Sequence, residues 1–294
     1  MAHNYVIIGI GPCGIAAASA IHEKEPDCNL TIIGDDPHGF YSRPGLAYYL
    51  TGESSERQLS LPQAAAFRRV ISKVISVNAQ AHQVTTEDCR VYAYHKLLLA
   101  TGSTASKISN PGADLRGVVK LDSLEDAKEI INAARKSKAA AVVGGGVTAL
   151  EIVEGLVARG IETHYLLRSD RYWPNVLDEV ESAIVEKRLK SHGVRIHYHS
   201  QLARIVGKQD KVIGVETESG EQIKCQIVAV AIGVQPRMEL AMAAGLKTDR
   251  GILTDEYLQT SAPHIFAAGD AAQIFDPVSG KALLDALWGK ALAQ

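Results

Sequence analysis

The chain has 294 residues, 46% of them hydrophobic, with 33 acidic against 31 basic side chains and a formal net charge of −2. That length suffices for two domains with their own cores, and the near-neutral balance gives no electrostatic footing for a nucleic-acid or membrane partner. No apolar stretch is long enough to span a bilayer, the N-terminus runs into a strand without a signal-peptide hydrophobic region, and Cys13, Cys28, Cys89 and Cys225 form no C-x-x-C pair; the expectation is a cytoplasmic protein with reduced structural thiols and no metal site. In chain order, Tyr5 to Ile8 reads as a buried strand and Pro12 to His22 as a helix whose alanines let it sit close on a sheet. Leu30 to Ile33 is the next strand, a Pro- and Gly-rich loop covers Asp35 to Gly45, Lys73 to Asn78 alternates, and Lys96 to Leu99 is a buried strand ending in Ala100-Thr101-Gly102. Asn110-Pro111-Gly112 is a candidate linker. A second strand–helix–strand unit runs from Ala139 to about Arg168, with its helix through Val147 to Arg159 and Gly160 as the stop. Asp178 to His192 reads as a charged helix closed by Gly193, and short β runs follow at Arg195 to Tyr198, Lys211 to Glu216, Gln222 to Lys224 and Ile227 to Ile232.

One design is used twice. Gly9, Gly11 and Gly14 match Gly144, Gly146 and Ala149 at a constant offset, each set lying between a buried strand and a helix. Small residues there let the backbone approach a pyrophosphate, and the helix offers the positive end of its dipole to it. A single G-x-G-x-x-G is weak evidence, but two in this context make a chain able to hold two dinucleotides.

The order of the first glycine turn, Tyr94-x-Lys96-Leu97-x-Leu99-Ala100-Thr101-Gly102, the second glycine turn, Ala231-Ile232-Gly233-Val234-x-Pro236 and Ile265-Phe266-Ala267-Ala268-Gly269-Asp270-Ala271 resembles the FAD-dependent pyridine nucleotide-disulfide oxidoreductases. Within them, Pro37-His38-x-x-Tyr41-x-Arg43-Pro44 is similar to the branch that reduces rubredoxin or ferredoxin and to the flavin module of nitrite reductases. The resemblance implies an α/β fold of two Rossmann-like domains, the NAD(P) domain (111–237) inserted into a split FAD domain (1–110 and 238–294). It also implies roles. Gly9, Gly11 and Gly14 would cradle the FAD pyrophosphate, and Asp35, or failing it Asp36, would bind the adenosine ribose. Arg43 and the Val74 backbone would contact FAD. Asp270, after Gly269, would meet the ribityl chain, although the position also suits a plain helix N-cap. Ala100, Thr101, Gly102 and Gly233 belong to the family's cofactor-binding segments.

Gly144, Gly146 and Ala149 fit a nicotinamide dinucleotide, either NADPH or NADH. The acid expected at the end of the following strand is replaced by Leu167, with Arg168 next to it. An arginine there can pair with a 2′-phosphate, which points to NADPH; a solvated surface charge is the alternative. The family's redox cysteine is also missing, Pro44 standing in its place, so electrons are expected to leave the flavin directly for an external acceptor: a small redox protein or a reductase partner. Glu151 matches a glutamate that organises the nicotinamide pocket, but Tyr48 occupies the position of its lysine partner. His192, His197 and His199 read as surface strand or helix-end histidines, and Lys187-Arg188-x-Lys190 as a solvated helix face. The chain ends at Gln294 without a stop signal, so the reading expects a C-terminal interface domain to be absent here and the full-length form to be a homodimer. The expected function is FAD-dependent NAD(P)H oxidoreductase; the alternative is a flavoprotein with a degenerate nicotinamide site that acts as a scaffold or redox-sensing subunit.

Overall fold

The computed structural model describes residues 2–61 and 67–294. The chain divides into two compact units, one of Met1–Tyr41, Ser60–Thr104 and Gln235–Gln294, the other of Ser42–Leu59 and Ala105–Val234.

The first unit is built on a five-stranded parallel sheet in the order Ile265–Ala267, Lys96–Leu99, Asn4–Ile8, Asn29–Gly34, Arg68–Ile71. Val6 and Ile8 point into one core with Ile33, Leu97, Leu99 and Ile265, while Tyr5 and Ile7 point into another with Ile32, Ile15 and Ala18. Burial on both faces explains why these strands read as continuous apolar runs rather than alternating ones. The helix Pro12–Lys24 follows the first strand, with a proline in its first turn, where the missing N–H costs nothing. An antiparallel sheet of Val74–Asn78, Gln83–Thr86 and Val91–Ala93 precedes the return strand Lys96–Leu99.

The second unit repeats this plan. Its parallel sheet runs Arg195–His197, Glu162–Leu166, Ala139–Val143, Ile227–Val230, Val118–Val119, with the helix Val147–Ala158 after the central strand. An antiparallel sheet of Leu202–Lys208, Lys211–Thr217 and Gln222–Lys224 again precedes the return strand. The helix Glu179–Ser191 starts at a capping box in which Asp178 and Glu181 satisfy each other's backbone N–H groups, and it ends before Gly193 at φ +81°. Two Rossmann-like α/β units therefore stand where the sequence shows two glycine turns.

The sequence reading leaves residues 42–59 with the first domain, whereas in the structure they pack within the second unit. The helix Leu46–Thr51 buries Leu46 and Leu50. Leu50 lies so close to the helix Val147–Ala158 that a Cβ on Gly155 would be 2.6 Å from Leu50 Cβ. Arg159 Nε also donates to the Leu50 carbonyl at 2.9 Å. Among the described residues, no helix is long and apolar enough to cross a membrane, and no group of three or more His, Cys, Asp or Glu is arranged to hold a metal ion.

Candidate functional site

The three glycines of the first turn do three different things. Gly9 has φ +119°, and a Cβ there would lie 2.0 Å from the Ala100 carbonyl oxygen, so a side chain is excluded both by conformation and by the neighbouring strand. Gly14 faces inward, where a Cβ would lie 2.1 Å from the Gly9 oxygen; its absence lets the helix sit against the strand end. Gly11 is the helix N-cap, in ordinary extended backbone, and a Cβ on it would meet nothing within 4 Å. Only the middle glycine is unexplained by the protein's own packing. The backbone there is open to close approach, and the unpaired N–H groups of a helix N-terminus suit an anion.

The second turn has the same logic. Gly144 has φ +147° and would place a Cβ 2.1 Å from the Ala231 oxygen, while Gly146 again opens onto space with nothing within 4 Å. The third position is the buried Ala149, whose Cβ would lie 3.2 Å from a Cβ built on Gly144. The strand-end partners match too: the Ala100 N–H donates to the Ile8 carbonyl at 2.8 Å, and the Ala231 N–H to the Val143 carbonyl at 2.9 Å.

Around the first turn, the structure gathers several expected residues. Thr101 Oγ1 donates to the Arg237 carbonyl at 2.8 Å, and the Gly102 carbonyl accepts the Arg237 N–H at 2.9 Å. Gly269, at φ +72°, lies near Cys13, and the Asp270 carboxylate accepts a hydrogen bond from Ser103 Oγ at 2.7 Å. Ser103 escaped the sequence reading, although it directly follows Gly102. Burial and the Asp270 charge push the Cys13 thiol up to about 12, so it is an inert structural group. Asp36 is committed locally: its carboxylate accepts the His38 N–H at 2.9 Å and its carbonyl accepts from Gly39. Asp35 is exposed beside it and takes no part in that turn. Val74 is buried at the start of its strand. Arg43 belongs to the second unit, where its guanidinium donates to the Asp122 carbonyl and lies 3.8 Å from the Asp122 carboxylate.

In the second unit, Leu167 is buried, and Arg168 beside it is exposed with no hydrogen bond or ion pair among the described residues. Gly233, at φ +115°, accepts the Ser106 N–H at 2.9 Å on its carbonyl. Glu151 lies in the first turns of the helix after Gly146, and among the described residues no cation or donor pairs with it. Burial, with a smaller contribution from the Glu154 charge, raises its carboxyl to about 7. Tyr48 is 58% exposed. Near Glu151 and Glu154, Tyr172 is raised to about 12, first by burial and then by those two charges. His192 caps its own helix end, its ring lying 2.8 Å from the Arg188 carbonyl, whereas His197 pairs with His164, a partner the sequence reading did not see.

Comparison with known proteins places this arrangement. The chain is 31% identical to a rubredoxin-NAD(+) reductase of Pseudomonas putida over 274 residues, which is 91% of this chain and 71% of that protein. It is 30% identical to a nitrite reductase [NAD(P)H] of Bacillus subtilis over 275 residues, 91% of this chain but only 34% of that one. A crystal structure of a ferredoxin reductase from Rhodopseudomonas palustris superposes with a TM-score of 0.94 at 27% identity, covering 99% of this chain and 73% of that one. Residues 3–285 match the pyridine nucleotide-disulphide oxidoreductase family, and the chain belongs to it.

Proposed function

We propose that the protein is an FAD-dependent NAD(P)H oxidoreductase that passes electrons from a nicotinamide nucleotide through the flavin to a small external redox protein. The observation that carries this is the pair of glycine turns in which Gly9 and Gly14, and likewise Gly144 and Ala149, are accounted for by packing, while Gly11 and Gly146 open onto space that a pyrophosphate fills. Bound flavin supplies the exchange between two-electron and one-electron chemistry; the chain supplies binding, orientation and electrostatics. Gly9, Gly11 and Gly14 hold the FAD pyrophosphate, Asp35 binds its ribose, and Asp270 receives a flavin hydroxyl while Ser103 fixes its carboxylate. Val74, Ala100, Thr101, Gly102 and Gly269 shape that site. Arg43 donates to Asp122 through one terminal nitrogen, and its remaining N–H groups are the ones that would meet FAD.

Gly144, Gly146, Ala149 and Gly233 hold the nicotinamide nucleotide. Arg168, exposed at the strand end where Leu167 replaces an acid and unpaired among the described residues, favours NADPH through its 2′-phosphate. Glu151, its carboxyl raised to about 7 and with no cation beside it among the described residues, holds or releases a proton at its Oε atoms as the nicotinamide pocket fills. A small iron–sulfur or rubredoxin-type acceptor is supported by the relatives named for reducing such proteins. Four cysteines without a disulfide suit a cytoplasmic setting. The homodimer implied by the family resemblance belongs to this proposal and is tested by light scattering on the flavin-loaded protein.

Anaerobic addition of NADPH or NADH to the flavin-loaded protein tests the reading directly. The 450 nm flavin band should bleach within seconds and recover on addition of an oxidised rubredoxin or ferredoxin. A protein that takes up no FAD, or whose flavin neither nucleotide bleaches, refutes it.

A further inference from the structure

Two imidazoles in the second unit face each other across neighbouring strands. His164 lies on Glu162–Leu166 and His197 on the edge strand Arg195–His197. His164 Nδ1 and His197 Nε2 are 3.0 Å apart. Each ring's other nitrogen has a carboxylate, with Glu162 Oε1 3.5 Å from His164 Nε2 and Glu221 Oε1 3.0 Å from His197 Nδ1. When both outer nitrogens donate to these carboxylates, the two inner nitrogens turn lone pairs toward each other. That contact is repulsive until one proton lies between them, and a second proton makes it repulsive again, N–H against N–H. The pair thus holds together with one inner proton and separates with two.

The charged groups around it set when that happens. Glu162 comes from the His164 strand, Arg195 from the edge strand with its guanidinium 2.7 Å from Glu162, and Glu221 from the turn before Gln222–Lys224. Burial, followed by the His197 charge, holds His164 below the ordinary imidazole range against the opposing pull of Glu162. The same edge segment also carries main-chain bonds to the end of the central strand's neighbour. The Leu167 N–H donates to the His197 carbonyl at 2.9 Å, the Ser200 N–H to the Leu167 carbonyl at 2.8 Å, and the His199 N–H to the Ser169 carbonyl at 3.1 Å. These three bonds fix the stretch that bears Arg168.

We propose that His164 and His197 form a proton-operated latch on the Leu167–Ser169 stretch, closed with one shared proton and opened by a second, so that nicotinamide nucleotide affinity falls in acid. The last step rests on the reading that Arg168 meets the nucleotide. The sign follows from linkage: the closed pair takes up the second proton less readily than separated imidazoles do. Acid therefore favours the open form, in which each imidazole can carry its own second proton.

Amide hydrogen exchange on the whole protein without nucleotide reads the latch itself. Protection factors at Leu167 and Ser200 should fall at least about fivefold between pH 7.5 and 5.5, the lower end of usual site coupling. The fall should be absent in His164→Asn and in His197→Gln, the latter less buried and so available if the former does not fold. Protection that does not change with pH in the wild type, or that falls equally in the variants, overturns the latch. KM for NADPH, measured in parallel, should rise with the loss of protection in the wild type and stay level in the variants. Protection that falls while KM does not move leaves the latch standing and overturns the reading that Arg168 meets the nucleotide.

Discussion

Substituting alanine at Gly11 and at Gly14, three residues apart, should produce opposite signatures. At Gly14 the new Cβ would lie 2.1 Å from the Gly9 oxygen and 3.3 Å from Ile7 Cγ2, both parts of the strand end it packs on. The helix Pro12–Lys24 must move outward, an overpacking cost of about 1–3 kcal/mol or more. For a chain of this size that lowers the apoprotein melting temperature by roughly 2–5 °C. At Gly11 the backbone is at φ −78°, ψ −176°, which alanine adopts freely, and the Cβ meets nothing within 4 Å. Apoprotein stability should therefore stay within about 0.5 kcal/mol of the wild type. The methyl group stands instead between the backbone and the pyrophosphate, and losing one or two charge-assisted N–H bonds there costs about 1.5–3 kcal/mol each. FAD affinity should fall by at least about tenfold, equivalent to about 1.4 kcal/mol. Thermal unfolding of the deflavinated proteins by circular dichroism measures the first quantity, and fluorescence titration with FAD the second. If Gly11→Ala unfolds as early as Gly14→Ala, or binds FAD as the wild type does, the division of labour among these glycines is wrong.

Arg168→Ala should raise KM for NADPH about tenfold while leaving KM for NADH within a factor of two, since only the former carries the phosphate that the guanidinium meets; steady-state assays with both nucleotides check it, and an unchanged ratio removes Arg168 from the site. Glu151, raised to about 7, should give the flavin-reduction rate a pH dependence centred there, seen by stopped flow between pH 5.5 and 8.5 and flattened in Glu151→Gln. Because the folded protein holds this proton more tightly than the unfolded chain, the associated stability is complete below the ordinary carboxyl range and is lost as pH rises through about 7. Glu151→Gln should then be more stable than the wild type at pH 8, by on the order of 1 kcal/mol after allowing for partial exposure to water. Ser103→Ala removes the 2.7 Å bond to Asp270 and should weaken FAD binding about tenfold, measured by the same titration.

The parts of the molecule most legible from residues alone are those where the backbone itself is constrained. Gly9 and Gly144 need positive φ and zero side-chain volume against a neighbouring carbonyl, so the need is written in the sequence as glycine. The parallel strands are legible for a related reason: Val6, Ile7 and Ile8 are buried from both faces, so the run is apolar without alternation. What depends on contacts between distant segments left no such mark. The packing of Leu50 on Gly155, which draws 42–59 into the second unit, joins residues about a hundred positions apart. The attraction of Arg43 to Asp122 is of the same kind, and so is the His164–His197 pair, since each histidine alone reads as an unremarkable strand residue. Ser103 is a different case: it sits one residue past a recognised motif, but only the return of the chain at Asp270 gives its hydroxyl a task.

The interleaving of the two units has a consequence for how the protein is made. The second unit is complete once Val234 has left the ribosome, because its early contribution, Ser42–Leu59, is already waiting. The first unit begins sooner yet lacks its outermost strand, Ile265–Ala267, until some thirty residues later. Leu97 and Leu99 are thus left without a strand on that side during translation. Maturation should run from the inserted body outward, reversing the usual N-to-C progression of nascent domains.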